Sequence, residues 1–117
     1  MRTFLLIACL SLACFFLNAL SIHDIQYTTN AGSGTYPSLY AGQTVSTSGV
    51  VVAHNYNGTS GYFISSPEGG AWNGIFIYDS SHSPNLGDMI QITGQVWEYY
   101  GWTEIRSISY YQTISLI

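Results

Sequence analysis

Apolar positions along the chain come in short runs rather than in helical stripes. Five runs, Thr44 to His54, Gly61 to Ser65, Gly74 to Asp79, Met89 to Tyr99 and Thr103 to about Tyr110, are rich in β-branched and aromatic residues and are separated by turn formers. Each is expected to be a strand. No window repeats its apolar residues every 3.6 positions, so no helix is expected. Ile22 to Gln26 and Thr113 to Ile117 are read as further edge pieces of sheet.

Two of the runs echo each other. Gly42, Val45, Gly49 and Val51 recur as Gly87, Ile90, Gly94 and Val96 at a constant offset of 45 residues. Glycine weakens a strand interior, so its repetition at the same place implies a bend or bulge that lets one long strand serve two sides of a small barrel. The expected fold is therefore all-β: a five-stranded Greek-key barrel of the OB type. A β-sandwich is the second choice, although it usually asks for about seven strands.

The N-terminus reads differently. Arg2 precedes an apolar run from Phe4 to Leu20 that ends in small residues, the outline of a signal peptide over residues 1–21 cleaved after Ser21. The domain would then be residues 22–117, secreted or periplasmic, and off the membrane once cleaved. A retained membrane anchor competes with this reading, because the 17 residues of the run approach the lower limit of a spanning helix. Leu6-Ile7-Ala8-Cys9 also has the look of a lipoprotein signal. Both cysteines, Cys9 and Cys14, lie in this segment, so residues 22–117 have neither a disulfide nor a thiol nucleophile.

Charge narrows the partners. Without Arg2 the domain holds one base, Arg106, against six carboxylates and no lysine, a net charge of −5. A protein that grips a phosphate backbone normally carries a basic face.

The order of Ile22-His-Asp-Ile-Gln26, Tyr40-Ala-Gly-Gln-Thr-Val45 with Gly49-Val-Val, Gly61-Tyr-Phe-Ile64, Gly74-Ile-Phe-Ile-Tyr78, Gly87-Asp-Met-Ile-Gln-Ile-Thr-Gly94 and Glu98-Tyr-Tyr-Gly-Trp-Thr-Glu104 resembles the OB-fold domain of bacterial secreted nucleases of the YhcR type. The resemblance runs across nearly all of residues 22–117. It implies an extracytoplasmic module that sits beside a catalytic domain and binds nucleic acid. No such catalytic domain is expected within these residues, and Ser66 stands where such domains often carry Asp after the second strand.

Alternation along the central hairpin buries Tyr62, Ile64, Ile75 and Ile77 and turns Phe63, Phe76 and Tyr78 outward, with Trp72 near the connecting loop. OB barrels take ligands on that face, flanked here by the loops Asn55 to Ser60 and Tyr100 to Trp102. If the alternation persists across Gly94, Trp97 and Tyr99 point outward and Tyr100 does not. The candidate ligand-binding residues are Phe63, Trp72, Phe76, Tyr78, Tyr99, Trp102 and Arg106. The same rings could instead pack beneath the N-terminal segment or against a partner chain, since aromatic residues favour strands whatever their role.

Other chemistry is sparse. His23, His54 and His82 are scattered, and Asp79-Ser-Ser-His82 is read as a turn rather than a metal site. Glu104 and Arg106 are expected to pair across solvent. Asn57-Gly58-Thr59 is a glycosylation sequon that reads here as a hairpin turn. The expected role is a non-catalytic binding module without a cofactor. Its partners are a single-stranded nucleic acid or an oligosaccharide, or a protein such as a separately encoded nuclease; the alternative is a structural or interaction subunit.

Overall fold

The computed structural model describes residues 19–55 and 60–116; the signal-peptide reading falls almost wholly on residues outside that range. Five strands follow one short helix: α1 (Ile22–Gln26), β1 (Thr44–His54), β2 (Tyr62–Ser65), β3 (Gly74–Ile77), β4 (Asp88–Tyr99) and β5 (Trp102–Leu116). They close into a barrel in the order β1-β2-β3-β5-β4, as the strand pattern predicted. All pairings are antiparallel except β3 with β5.

The glycine echo has a geometric origin. In the β1–β4 ladder Val45 lies opposite Gly94 and Gly49 opposite Ile90, so the two repeated segments pair with each other about a local two-fold axis. Just beyond Gly49, Val50 is paired with both Met89 of β4 and Ser65 of β2, the point where β1 changes partner. Gly94 faces a register shift: Thr93 pairs with Tyr110 and Gln95 with Arg106, leaving Ser107, at φ 53°, bulged on β5. A Cβ at Gly94 would lie 2.7 Å from the Arg106 carbonyl oxygen, and one at Gly49 would lie 2.9 Å from Ser65 O and from Ile22 Cδ1. Both glycines are required because another element passes directly over them.

The reading of Ile22 to Gln26 as an edge strand, and of the chain as helix-free, is corrected. This stretch is a single α-helical turn and a half whose Ser21 hydroxyl accepts from the Asp24 N–H at 3.0 Å, while the Asp24 carboxylate accepts from the Ser21 N–H at 3.2 Å. Ile22 and Ile25 point into the core with Val45, Ile64, Ile77, Ile90 and Ile105, so α1 plugs the barrel. Ala19 bridges Ser46 in parallel, and the Leu20 N–H donates to Ser46 O at 2.8 Å. The other edge piece, Thr113 onward, is continuous with β5 through Leu116.

Candidate ligand-binding face

Phe63 of β2 and Phe76 of β3 are directly opposed on the outer face. Their ring centroids lie 4.9 Å apart, and the Trp102 ring joins them at 5.1 Å from Phe76 and 6.3 Å from Phe63. Trp102 reaches this position because β4 and β5 are joined by a tight turn in which Tyr100 and Gly101 both have positive φ, 45° and 89°, the handedness that suits a hairpin's twist. The hairpin assignment holds for Tyr62, Ile64, Ile75 and Ile77, all buried, and Tyr78 is half exposed. Phe76 departs from it. It faces outward yet is only 5% exposed, covered by the other two rings and lying so close to Gly61 that a Cβ there would fall 2.2 Å from its Cζ. Phe76 therefore floors the patch rather than offering a free ring.

A groove of about 840 Å³ opens over these rings. Phe63, Phe76 and Trp102 form one part of it and Trp72 another, with Tyr36, Gln26, Thr35, Ser65 and Thr103 between; no charged side chain lines it. Trp72 is held edge-on to Tyr27 at 5.7 Å, and Tyr27 stacks on His23. The wall contributed by Thr35 and Tyr36 comes from the irregular segment 27–43, tied to the barrel where the Ser38 hydroxyl donates to Ile25 O at 2.6 Å and the Gly42 N–H to Val96 O at 2.7 Å.

A smaller cleft of about 210 Å³ adjoins it across Phe76 and Trp102 and is lined by Asn55, Tyr78, Tyr99, Glu104 and Arg106. Each of the seven candidate residues thus borders one of these two depressions. Arg106 lies 4.9 Å from the Trp97 ring centre and 5.4 Å from that of Tyr78. Its Nε and Nη2 donate to Glu104 Oε2 at 3.3 and 3.2 Å, and Trp102 Nε1 donates to Oε1 at 2.9 Å. Glu104 and Arg106 pair as expected, but not across solvent, since Glu104 is 1% exposed. Alternation does persist through Gly94 and leaves Trp97 and Tyr99 exposed; Tyr100, expected to turn inward, is 93% exposed at the tip of the turn.

Sequence reasoning missed the groove's polar lining and a second polar cluster. Asp79 is buried and accepts from the Tyr62 hydroxyl at 2.7 Å, His82 Nδ1 at 2.8 Å and the Ser81 N–H at 2.9 Å. Burial first, then the bond to Asp79, holds the Tyr62 phenol protonated far above the ordinary tyrosine range. Desolvation also raises Tyr111, on whose ring His82 stacks at 4.0 Å. His54 and His82, which look unrelated in sequence, border one cavity of about 590 Å³ with Tyr62 and Asp79. The Asp-x-x-His spacing was the available signal, and it marks a self-satisfied turn. Among the described residues no group of three or more His, Cys, Asp or Glu side chains could hold a metal. Asn57, Gly58 and Thr59 lie outside the described residues.

No family model and no curated protein matches the chain. Solved structures do. The chain is similar to an OBody, AM1L10, bound to hen egg-white lysozyme, with a TM-score of 0.54 and 20% identity over 67% of this chain and 84% of that one. A second, OBody AM3L15 bound to hen egg-white lysozyme, gives 0.53 and 19% over 67% and 86%. The fold is an OB barrel. In such barrels the face of strands β2 and β3, bordered by the β1–β2 and β4–β5 loops, is where ligands bind. That is the face on which the candidate rings gather.

Proposed function

We propose that this protein is a non-catalytic binding module that takes an extended ligand on the outer face of β2 and β3. The observation that carries the reading is the ring cluster of Phe63, Phe76 and Trp102, floor of two contiguous depressions at the ligand face of an OB barrel. Ring contacts of roughly 1 to 3 kcal/mol each with Phe63 and Trp102, over the floor made by Phe76 and less the cost of ordering the ligand, support binding in the tens of micromolar or weaker. The resemblance to the OB domain of secreted nucleases favours single-stranded nucleic acid as that ligand; an oligosaccharide is the alternative. With Arg106 as the one arginine or lysine of residues 22–117, that domain would neutralise one phosphate at most, so nucleic-acid affinity should fall with a log–log salt slope of only about −0.7. The apolar run from Phe4 to Leu20 supports export, and a separately encoded nuclease is the natural protein partner of such a module. Tryptophan fluorescence titrated with oligonucleotides and with oligosaccharides tests the reading; no response to either class at millimolar ligand would refute it.

A protein-interaction role is the second reading, favoured by the end of β5. Its pairing with β3 stops at Ile105, residues 107–117 contain no charge, and Tyr110 and Ile114 are half exposed. An uncharged strand edge is an invitation to pairing. Sedimentation at increasing concentration tests this, and a monomer throughout would argue against self-association.

A further inference from the structure

Backbone strain gathers around the groove. Resting on the binding-module reading above, we propose that Tyr36, Trp72 and Tyr100 form a ligand-contacting rim, each held in an unfavourable backbone conformation so that its ring meets the ligand.

Among the described residues four that are not glycine have positive φ: Tyr36 at 52°, Trp72 at 67°, Tyr100 at 45° and Ser107 at 53°. The left-handed conformation is uncommon outside glycine and asparagine, and a bulky side chain there is an outlier. Ser107 has a structural reason, the bulge opposite Gly94. The other three are large aromatics. Pro37 follows Tyr36, and a residue before proline is normally extended, which makes Tyr36 the more unusual. Tyr100 takes the first place of a two-residue hairpin turn, where asparagine or glycine is the relaxed choice.

Packing does not offset that strain. The Tyr100 ring meets Tyr99 edge-on at 4.7 Å and is otherwise open, with the residue 93% exposed. Tyr36 and Trp72 are about half exposed, and Trp72 meets Tyr27 only edge-on at 5.7 Å.

Position supplies the reason that packing does not. Tyr36 and Trp72 line the groove of about 840 Å³, and Tyr100 adjoins Gly101, which lines it beside Trp102. A Cβ on Gly101 would lie 3.4 Å from Thr35 Cγ2, so the loops that carry Tyr36 and Tyr100 touch. Three loops therefore bring one strained ring each to the border of the Phe63, Phe76 and Trp102 platform. Strained residues gather at ligand clamps, because elsewhere a relaxed residue takes their place. At these positions the ring and the stability of the fold are opposed.

The test pairs urea unfolding of the full chain with calorimetric titration by (dT)10 and by the β-1,4-N-acetylglucosamine hexamer, each to millimolar concentration. Tyr36→Asn, Trp72→Asn and Tyr100→Asn should unfold at the same or a higher urea concentration than wild type, because asparagine tolerates positive φ. Each should weaken the saturating probe at least about fivefold, the loss expected when one stacked ring is removed. Ser107→Asn is the control, with the same relief of strain and unchanged affinity. Earlier unfolding of the three ring variants would mean that packing holds the rings, and unchanged affinity would mean that the ligand does not touch them. Either result overturns the rim and leaves the binding-module reading standing. An equal loss of affinity in Ser107→Asn would also overturn the rim. Silence of the wild type toward both probes overturns the rim and the binding-module reading together.

Discussion

Tyr62 brings a hydroxyl into the barrel interior, where it is satisfied by donating a hydrogen bond to the Asp79 carboxylate at 2.7 Å. The folded protein thus holds this phenol protonated where the unfolded chain, with an ordinary value near 10, releases it. The sign follows. Below about pH 10 the contribution is fully present, and above it the unfolded state sheds a proton that the folded state keeps. Stability should fall by up to about 1.4 kcal/mol per pH unit for this residue, with Tyr111, also raised, adding to the decline. Urea midpoints at pH 8, 10 and 11 should show that loss in the wild type and a shallower one in Tyr62→Phe. The variant should also lose about 1 kcal/mol at pH 8, where Asp79 forfeits a donor. An equally steep alkaline decline in Tyr62→Phe would remove Tyr62 as its source. At this scale the sequence was informative about which face a side chain takes, since that is set by parity alone. It was silent on cover. Phe76 points where alternation puts it but is sealed by Phe63, Trp102 and the bare backbone of Gly61, neighbours from two other segments of the chain. The buried Glu104 carboxylate between Trp102 and Arg106 was hidden for the same reason.

Strands were the legible elements because alternating apolar positions and flanking turn residues mark both their phase and their ends. β1 was placed at its observed limits, and β4 within one residue. α1 was not legible, since five residues are too few to display a helical period, and its Ser21-x-x-Asp24 capping box sat at the edge of what looked like a leader. β5 was read as two pieces, ending at about Tyr110 and resuming at Thr113, although it runs unbroken through both and carries the Ser107 bulge opposite Gly94 within the first. That bulge makes Gly94 the element-scale test. A methyl there would press on the Arg106 carbonyl and on Ile105 Cγ2, both at 2.7 Å, and a backbone carbonyl cannot swing aside. Gly94→Ala should cost about 2 to 3 kcal/mol in chemical denaturation. Gly74→Ala is the contrast: the added Cβ would meet Ile64 O at an ordinary contact distance of 3.8 Å, so its stability should stay within about 0.5 kcal/mol of wild type or rise slightly. Equal losses in the two variants would mean that close approach is not why glycine stands at position 94.

Closure of the sheet makes the whole molecule one cooperative unit. Each strand has a hydrogen-bonded neighbour on both sides over at least part of its length, α1 fills the interior with Ile22 and Ile25, and the cysteines lie outside the described residues, so no covalent clamp within the barrel substitutes for packing. Strand number and the paired glycines were enough to anticipate this closure from sequence. The groove was not, because one of its walls, Thr35 and Tyr36, belongs to a segment with no periodic pattern that is placed only by tertiary bonds to Ile25 and Val96. The wall and the barrel should therefore lose their structure together. All three tryptophans lie on the outer surface, Trp72 and Trp102 in the groove and Trp97 against Arg106, whereas far-ultraviolet circular dichroism reports the sheet. Guanidinium unfolding followed by tryptophan fluorescence and by circular dichroism should give one coincident transition. Refolding should be slow for a domain of this size, in milliseconds to seconds, because β1 must find β4 across the whole β2–β3 hairpin. Fluorescence changing at lower denaturant than the sheet signal would instead show the ring-bearing face loosening before the barrel opens, and the groove would then be a surface assembled on a stable core rather than an integral part of it.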